Sequence, residues 1–498
     1  MISAPNRLPL LSGNNGLVTI VFLLLVFQLT ACELFTKVQP GKDATGGKDV
    51  LDPIQGTRVY DPETGTYIVV KTAPTQPMDT VKWKEISMTA SPPITSEGVF
   101  VDREPSNPVV TTVDPATGSS KLETYNVAIV LPFQTDKFTA QGQVPANSSW
   151  ALNFYSGAKM ALDELRAEGG PNLNVAVLDT KATESGMMEL TRRNEFTSAH
   201  LIIGPYRRET VRIAADAAKR NNSVLVSPYN ATENIVDNNP NYIQVNPSFS
   251  THCDALLSEA RHRFRPDQIV LVCRGRDVEL ERLKYFQDAH KRMQLQSFSR
   301  DTAALREFVI ADAADSSAFR INVQPLVQNR DTLAIIIPSW SSESFINALL
   351  QQLHVAKSGY SHFTVYGMPQ WIEYERVSHQ YYESLNLHIT TSSHVDREQW
   401  AVQDFQKSYF TRYGAMPAPE SYLGYDVTAY YVRMLRKYGT RFQYAIIDDA
   451  GQGLHTRFEV RPIAMPNASN REFPQVKQFE NKYVNLLRFE DLRFVKVN

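Results

Sequence analysis

From Tyr125 onward, short continuous apolar runs alternate with amphipathic segments, and this alternation leaves few folds open. The segments 126–132, 174–179, 200–205 and 223–228 are apolar at nearly every position. A strand with one solvated face alternates polar and apolar residues. A run that is apolar throughout is buried on both faces, as in a parallel sheet covered by helices. Between these runs, apolar residues recur at helical spacing. In 154–168 they are Phe154, Ala158, Ala161, Leu162 and Leu165, and the segments 184–198 and 208–221 also read as helices. The order strand, helix, strand predicts parallel βαβ units.

A second block repeats the pattern. Strands are expected over 268–273, 332–338, 363–367 and 387–395, with helices over 278–293, 342–357, 398–413 and 421–437. The segment 297–331 is less regular; a short strand and a helix around Ala303 to Ala314 are expected there. From Phe442 the chain reads as β-rich. The predicted fold class is therefore α/β, with two Rossmann-like lobes built on parallel sheets.

The first part of the chain is different. Arg7 is the only charge before the apolar stretch Leu17 to Leu29, which ends in Leu29-Thr-Ala-Cys32. The stretch is short for a membrane span and suits the apolar region of a signal peptide. Small residues before a cysteine resemble the lipobox of bacterial lipoproteins. That resemblance implies a signal peptide over 1–31 and lipidation of Cys32, with more than one acyl chain, since two chains anchor where one holds only marginally. Glu33 follows the cysteine, where a well-known inner-membrane retention signal has Asp, so an outer-membrane anchor facing the periplasm is expected. Residues 32–120 are punctuated by Gly46-Gly47, Pro74, Pro77, Pro92-Pro93, Pro105, Pro108 and Pro115 and read as an extended tether. Within it, Thr66 to Val70 could pair as a short strand.

Four stretches carry a resemblance to the type I periplasmic binding proteins, such as the leucine/isoleucine/valine-binding receptors. They are Val127 to Phe133; Phe154 to Asp163, with its small residues and closing Leu-Asp; Ile202-Ile-Gly-Pro205, followed by Leu225-Val-Ser-Pro228; and Phe405 to Gly414, followed by Pro417, Ala418 and Tyr422 to Val427. The resemblance implies a folded domain over 121–498 whose lobes are joined by three crossings, with a ligand in the cleft. Lobe one would hold about 124–247 and 388–438, lobe two about 248–387 and 439–498. The stretches 453–458 and 480–489 resemble the closing hairpins of lobe two, and Asn481 reads as the cap of a turn.

Ligands of parallel α/β lobes meet the loops beyond the carboxyl ends of strands. That rule selects Phe133, Tyr206, Arg207, Tyr229, Asn230 and Thr232 in the first block, and Arg274, Gly275, Ser339, Trp340, Gln370 and Trp371 in the second. A helix start at Tyr206 to Thr210 would present free N–H groups and a positive dipole end to the cleft. Amino-acid-binding relatives hold the ligand carboxylate there with Ser and Thr; this sequence has Tyr206-Arg-Arg-Glu-Thr210, without Ser. Arg207 and Arg208 either pair with an anion or are solvated charges. Trp340 and Trp371 either wall the ligand or pack strand ends. Asp426 reads as an early-turn helix carboxylate, and His252, His262 and His290 as exposed.

Several classes of activity are not expected. The net charge of -2 creates no basic field for nucleic acid. No Gly-x-Ser-x-Gly elbow, phosphate loop, dinucleotide fingerprint or His-Glu-x-x-His occurs, so neither catalysis nor a cofactor is expected. No Cys/His spacing suggests zinc, and Cys253 and Cys273 read either as buried free thiols or as a disulfide. The leading expectation is a lipid-anchored protein that captures a small amino-acid-like, polar or anionic solute for a permease or sensor. The alternative is an outer-membrane lipoprotein using this fold to bind a protein, such as a cell-wall synthase.

Overall fold

The computed structural model describes residues 57–61, 66–70, 110–114, 117–138, 144–236, 238–297, 303–311, 321–328, 330–357, 361–465 and 476–497. Cys32 and the apolar stretch before it lie outside these residues, as does most of the expected tether. The chain divides into two compact units, 1–101 and 102–498. In the first, β1 (Thr57–Asp61) pairs antiparallel with β2 (Thr66–Val70).

The second unit opens with the hairpin β3 (Val110–Val113) and β4 (Ser120–Leu122). Then follow β5 (Thr124–Leu131), α1 (Ser149–Ala167), β6 (Asn172–Asp179), α2 (Glu184–Leu190), α3 (Asn194–Thr197), β7 (Leu201–Ile203), α4 (Arg208–Asn221), β8 (Val224–Ser227) and β9 (Tyr242–Gln244). The chain crosses to the second lobe through α5 (Phe249–Arg263), β10 (Ile269–Arg274), α6 (Asp277–Gln296), β11 (Arg306–Ile310), α7 (Gln324–Val327), β12 (Thr332–Ile336), α8 (Glu343–Ala356), β13 (His362–Gly367), α9 (His379–Ser384) and β14 (His388–Thr391). It returns with α10 (Trp400–Tyr413), α11 (Pro419–Tyr438), β15 (Gly451–Gln452), β16 (Arg457–Phe458), β17 (Val460–Ala464) and β18 (Val476–Asn481). A last crossing leads to β19 (Asn485–Glu490) and β20 (Arg493–Lys496).

Each lobe is built on a seven-stranded sheet, in the orders β17-β18-β9-β8-β7-β5-β6 and β11-β10-β12-β13-β14-β19-β20. The strands from β6 to β9, and from β11 to β14, are parallel and repeat one winding order. The apolar runs of β5, β7 and β8 are buried on both faces, as predicted, whereas β6 is an edge strand in which Val177 is exposed and only Leu178 is buried. In β5, Val127, Ile129 and Leu131 join the core under α1 and α11, while Ala128 and Val130 join the core under α2 and α4.

The lobe boundaries need correction. His388–Thr391 belongs to the second sheet, where it pairs with β13 and β19, although it was expected in lobe one. Residues 439–465 and 476–481 belong to lobe one, because β18 pairs with β9. Of the closing hairpins, only β19 and β20 complete lobe two. Asn481 sits at the third crossing, where its Oδ1 accepts the N–H of Glu459 and, at 3.4 Å, that of Tyr483.

Local expectations change too. The segment 184–198 is two helices, with the Thr191 hydroxyl donating to the Met188 carbonyl at the break. Of the short strand and helix expected around Ala303 to Ala314, the strand is present as the edge strand 306–310, whose β-branched and aromatic residues pair with β10. Asp426 is in the interior of α11, buried, not in its first turn. Only His262 of the three helical histidines is exposed. His252 and His290 are buried, the former sharing a 2.8 Å hydrogen bond with Thr390. Both Cys253 and Cys273 are buried and free.

Candidate functional site

At the carboxyl ends of β7, β8 and β13 the lobes face one another across a groove of about 700 Å³. Its lobe-one wall is Tyr206 to Glu209 and Tyr229 to Thr232. Its lobe-two wall is Pro369, Gln370, Ile372 and Glu373, and Asn246, Thr391 and Ser392 on two crossing segments close it. The volume is in the range of pockets that enclose a small molecule.

The lobe-one wall follows from its sequence. Gly204 follows the end of β7, and its φ of 108° and close approach to Val130 exclude a side chain: a Cβ there would lie 2.0 Å from the Val130 carbonyl oxygen. The Gly204–Pro205 peptide is cis. The chain then enters α4 with Arg207 as N-cap residue and no side chain capping the first turn, so N–H groups at the positive end of the helix remain available. Thr210 is buried and donates its hydroxyl to the Arg207 carbonyl at 2.8 Å, which turns it away from the groove. Arg207 and Arg208 are exposed beside Glu209. In the next loop, Asn230 accepts the Thr232 N–H through Oδ1 at 2.8 Å, and Asn246 donates to the Tyr229 carbonyl at 2.7 Å.

Aromatic rings form one end of this wall. Tyr206 and Tyr229 stack with ring centroids 4.4 Å apart, and Trp150 lies 4.4 Å from Tyr206 and 5.6 Å from Tyr229. Burial, then the neighbouring Tyr229 hydroxyl, push the Tyr206 phenol up to about 12, so it stays protonated and can donate.

The groove thus brings together Tyr206, Arg207, Tyr229, Asn230 and Thr232, with Gln370 from the other lobe. Other expected positions lie elsewhere. Phe133 is buried against Tyr155. Trp371 is fully buried, its Nε1 donating to the Ser339 carbonyl at 2.8 Å and its ring covering Gly367. Trp340 is half-buried; the Arg282 guanidinium lies 3.4 Å from its ring centroid and Phe249 packs beside it. Arg274 forms a buried ion pair with Glu279, which also accepts the Ser339 hydroxyl. Trp340, Trp371 and Arg274 thus satisfy lobe two internally, and Phe133 the lobe-one core. Trp150, Asn246, Ile372, Glu373 and Ser392 were not expected. Asn246 and Ser392 follow from locating the crossings, since segments that join lobes run past the cleft.

The family described as the receptor family ligand binding region matches residues 154–461. No curated protein matches the chain. Among solved structures, a putative branched-chain amino acid ABC transporter from Rhodospirillum rubrum is similar over 75% of this chain and 100% of its own, with 16% identity and a TM-score of 0.54. An ABC transporter substrate-binding protein from Desulfitobacterium hafniense, in complex with Leu, covers the same shares with 14% identity and a TM-score of 0.45. At these identities the likeness concerns the fold, that of the type I periplasmic binding proteins.

Proposed function

We propose, since this chain belongs to the family of receptor ligand-binding regions, that it captures a small carboxylate-bearing solute between its lobes for transport or sensing at the bacterial cell envelope. One observation carries the reading: the groove sets Arg207 and the open start of α4 on one wall opposite Gln370 and Glu373 on the other. A carboxylate can pair with the guanidinium and with helix N–H groups, while Glu373 suits an amino group or hydroxyl at the far end of the solute. Closure would follow from tighter binding in the closed state than in the open one. The lipobox-like Leu29-Thr-Ala-Cys32 supports anchoring through Cys32, with a permease or a sensor as the next partner.

A second reading, a module that binds a protein such as a cell-wall synthase, draws on the inward turn of Thr210. This turn offers the groove no hydroxyl clamp for an amino-acid carboxylate. Native mass spectrometry of the full chain, released from its membrane in mild detergent, separates the two readings. A retained small molecule that is lost in Arg207→Ala supports solute capture. An empty chain, unchanged by amino acids, peptides and wall fragments, overturns it in favour of a protein partner.

A further inference from the structure

Behind the aromatic end of the groove lies a second, smaller cavity of about 160 Å³. Tyr229, Asn246 and Ser392 border both spaces. Its walls are mainly apolar, with Trp150, Val245 and Leu423 among them, and Ser393, Glu420, His455 and Thr456 add polar groups. The last two are buried, at 3% and 4% exposure.

His455 and Thr456 are set in an unusual way. Asp426 accepts the main-chain N–H groups of Leu454 and His455 at 2.8 and 2.9 Å and also bonds His455 Nδ1. Gly453 is required for this approach, since a Cβ there would lie 2.4 Å from the Asp426 carboxylate. A carboxylate can only accept, so Nδ1 carries a proton, and Nε2 is the ring atom left to meet a ligand. Among the described residues the buried Thr456 Oγ1 has no hydrogen-bond partner, and His455 Nε2, on a ring that lines the cavity, bonds no protein group. Buried polar atoms are nearly always partnered, and an orphan calls for an explanation.

We infer that this cavity is a binding site for a single six-membered ring bearing one hydroxyl, a phenol being the simplest case. An apolar cavity of roughly 150 Å³ accommodates benzene, which fits the size. The ring would lie against Trp150, Val245 and Leu423. Its O–H would donate to His455 Nε2, and its oxygen would accept from the Thr456 hydroxyl, satisfying that orphan. The site adjoins the solute groove through Tyr229, Asn246 and Ser392 but does not depend on the proposal for it.

The test is titration of the full chain in mild detergent with phenol, followed by calorimetry, with toluene as the ring lacking the hydroxyl. Saturable phenol binding with a Kd of about 1 mM or tighter is expected for so small a ligand. Toluene should bind at least tenfold more weakly. Thr456→Val should weaken phenol about tenfold, the loss of one hydrogen bond to a buried group. Leu423→Trp should abolish phenol binding by filling the cavity, while Arg207→Ala in the solute groove should leave it unchanged. Absence of saturable phenol binding by the unaltered chain overturns the inference, whatever the variants do. So does equal affinity for toluene, or phenol binding that is lost in Arg207→Ala and kept in Leu423→Trp.

Discussion

Glu480, in β18 of lobe one, accepts a 2.6 Å hydrogen bond from the hydroxyl of Thr251, in the first turn of α5 in lobe two. The same carboxylate accepts the N–H and hydroxyl of Ser248 at 2.9 and 2.8 Å and pairs with Lys482 at 2.8 Å. The first and third crossings are therefore tied at one buried anion. Burial works to raise the Glu480 carboxyl, but the Lys482 ammonium and the hydrogen bonds from Thr251 and Ser248 outweigh it and hold the group below the usual carboxylate range. Removing one partner of a buried charged network leaves the others uncompensated. Glu480→Ala should cost roughly 3–5 kcal/mol, read as a lower urea midpoint, and Glu480→Gln should cost less because it keeps an acceptor.

Acid should weaken the same region through two groups. Burial pushes the His252 imidazole down to about 4, against the opposing pull of Glu480. A histidine held neutral in the fold takes up its proton first in the unfolded chain, so stability is unaffected above about pH 6.5 and falls as pH drops towards 4. Glu480, depressed by its partners, likewise contributes stability that is lost as pH falls through its folded value. For His252 alone the loss is on the order of 3 kcal/mol between pH 6.5 and 4. Urea midpoints at pH 7, 5.5 and 4 should decline, and His252→Asn, which keeps a hydrogen-bonding atom for Thr390, should flatten the decline.

Gly157 in α1 and Gly424 in α11 bring two helices of lobe one into backbone contact. A Cβ on Gly157 would lie 1.8 Å from the Ser421 carbonyl oxygen, and one on Gly424 2.0 Å from that of Phe154. Either Gly→Ala change must push the helices apart over the sheet. Each should lower stability by about 1–3 kcal/mol or more, although alanine is the better helix former in isolation. Thermal melts of the two single variants and the double variant should show less than additive losses, because one displacement relieves both clashes.

Those two glycines also explain why the fold was legible in the sequence. They belong to the stretches Phe154 to Asp163 and Tyr422 to Val427 that carried the family resemblance, and their contact is what such small residues permit. Runs such as Val127 to Leu131 were readable because burial on both faces leaves no polar position. The lobe assignment of 388–391, 439–465 and 476–481 was not readable, since it depends on which distant strand each one pairs with. The groove was half legible. The rule of strand carboxyl ends identifies the turns after β7, β8 and β13, but not which side chain of each turn faces outward. Gln370 faces the groove and the adjacent Trp371 does not, because Trp371 covers Gly367 and donates to Ser339.

That last distinction separates folding from binding. Trp371 is enclosed in lobe two, so Trp371→Ala leaves a large cavity and an unpaired Ser339 carbonyl, and should cost roughly 3–5 kcal/mol. Arg207 is exposed and its side chain caps nothing in α4, so Arg207→Ala should change stability by no more than about 0.5 kcal/mol. The order reverses for the solute. Loss of a charged hydrogen-bonding group should weaken solute affinity by tenfold or more in Arg207→Ala, from a contribution of about 1.5–3 kcal/mol. Trp371→Ala protein that remains folded should bind with nearly unchanged affinity, because its ring never meets the groove. Urea melts paired with calorimetric titration of the solute recovered from the native chain would read both quantities on the same samples. Equal losses of affinity in the two variants would mean that the groove walls move with the lobe-two core, and that Arg207 is not the group that holds the carboxylate.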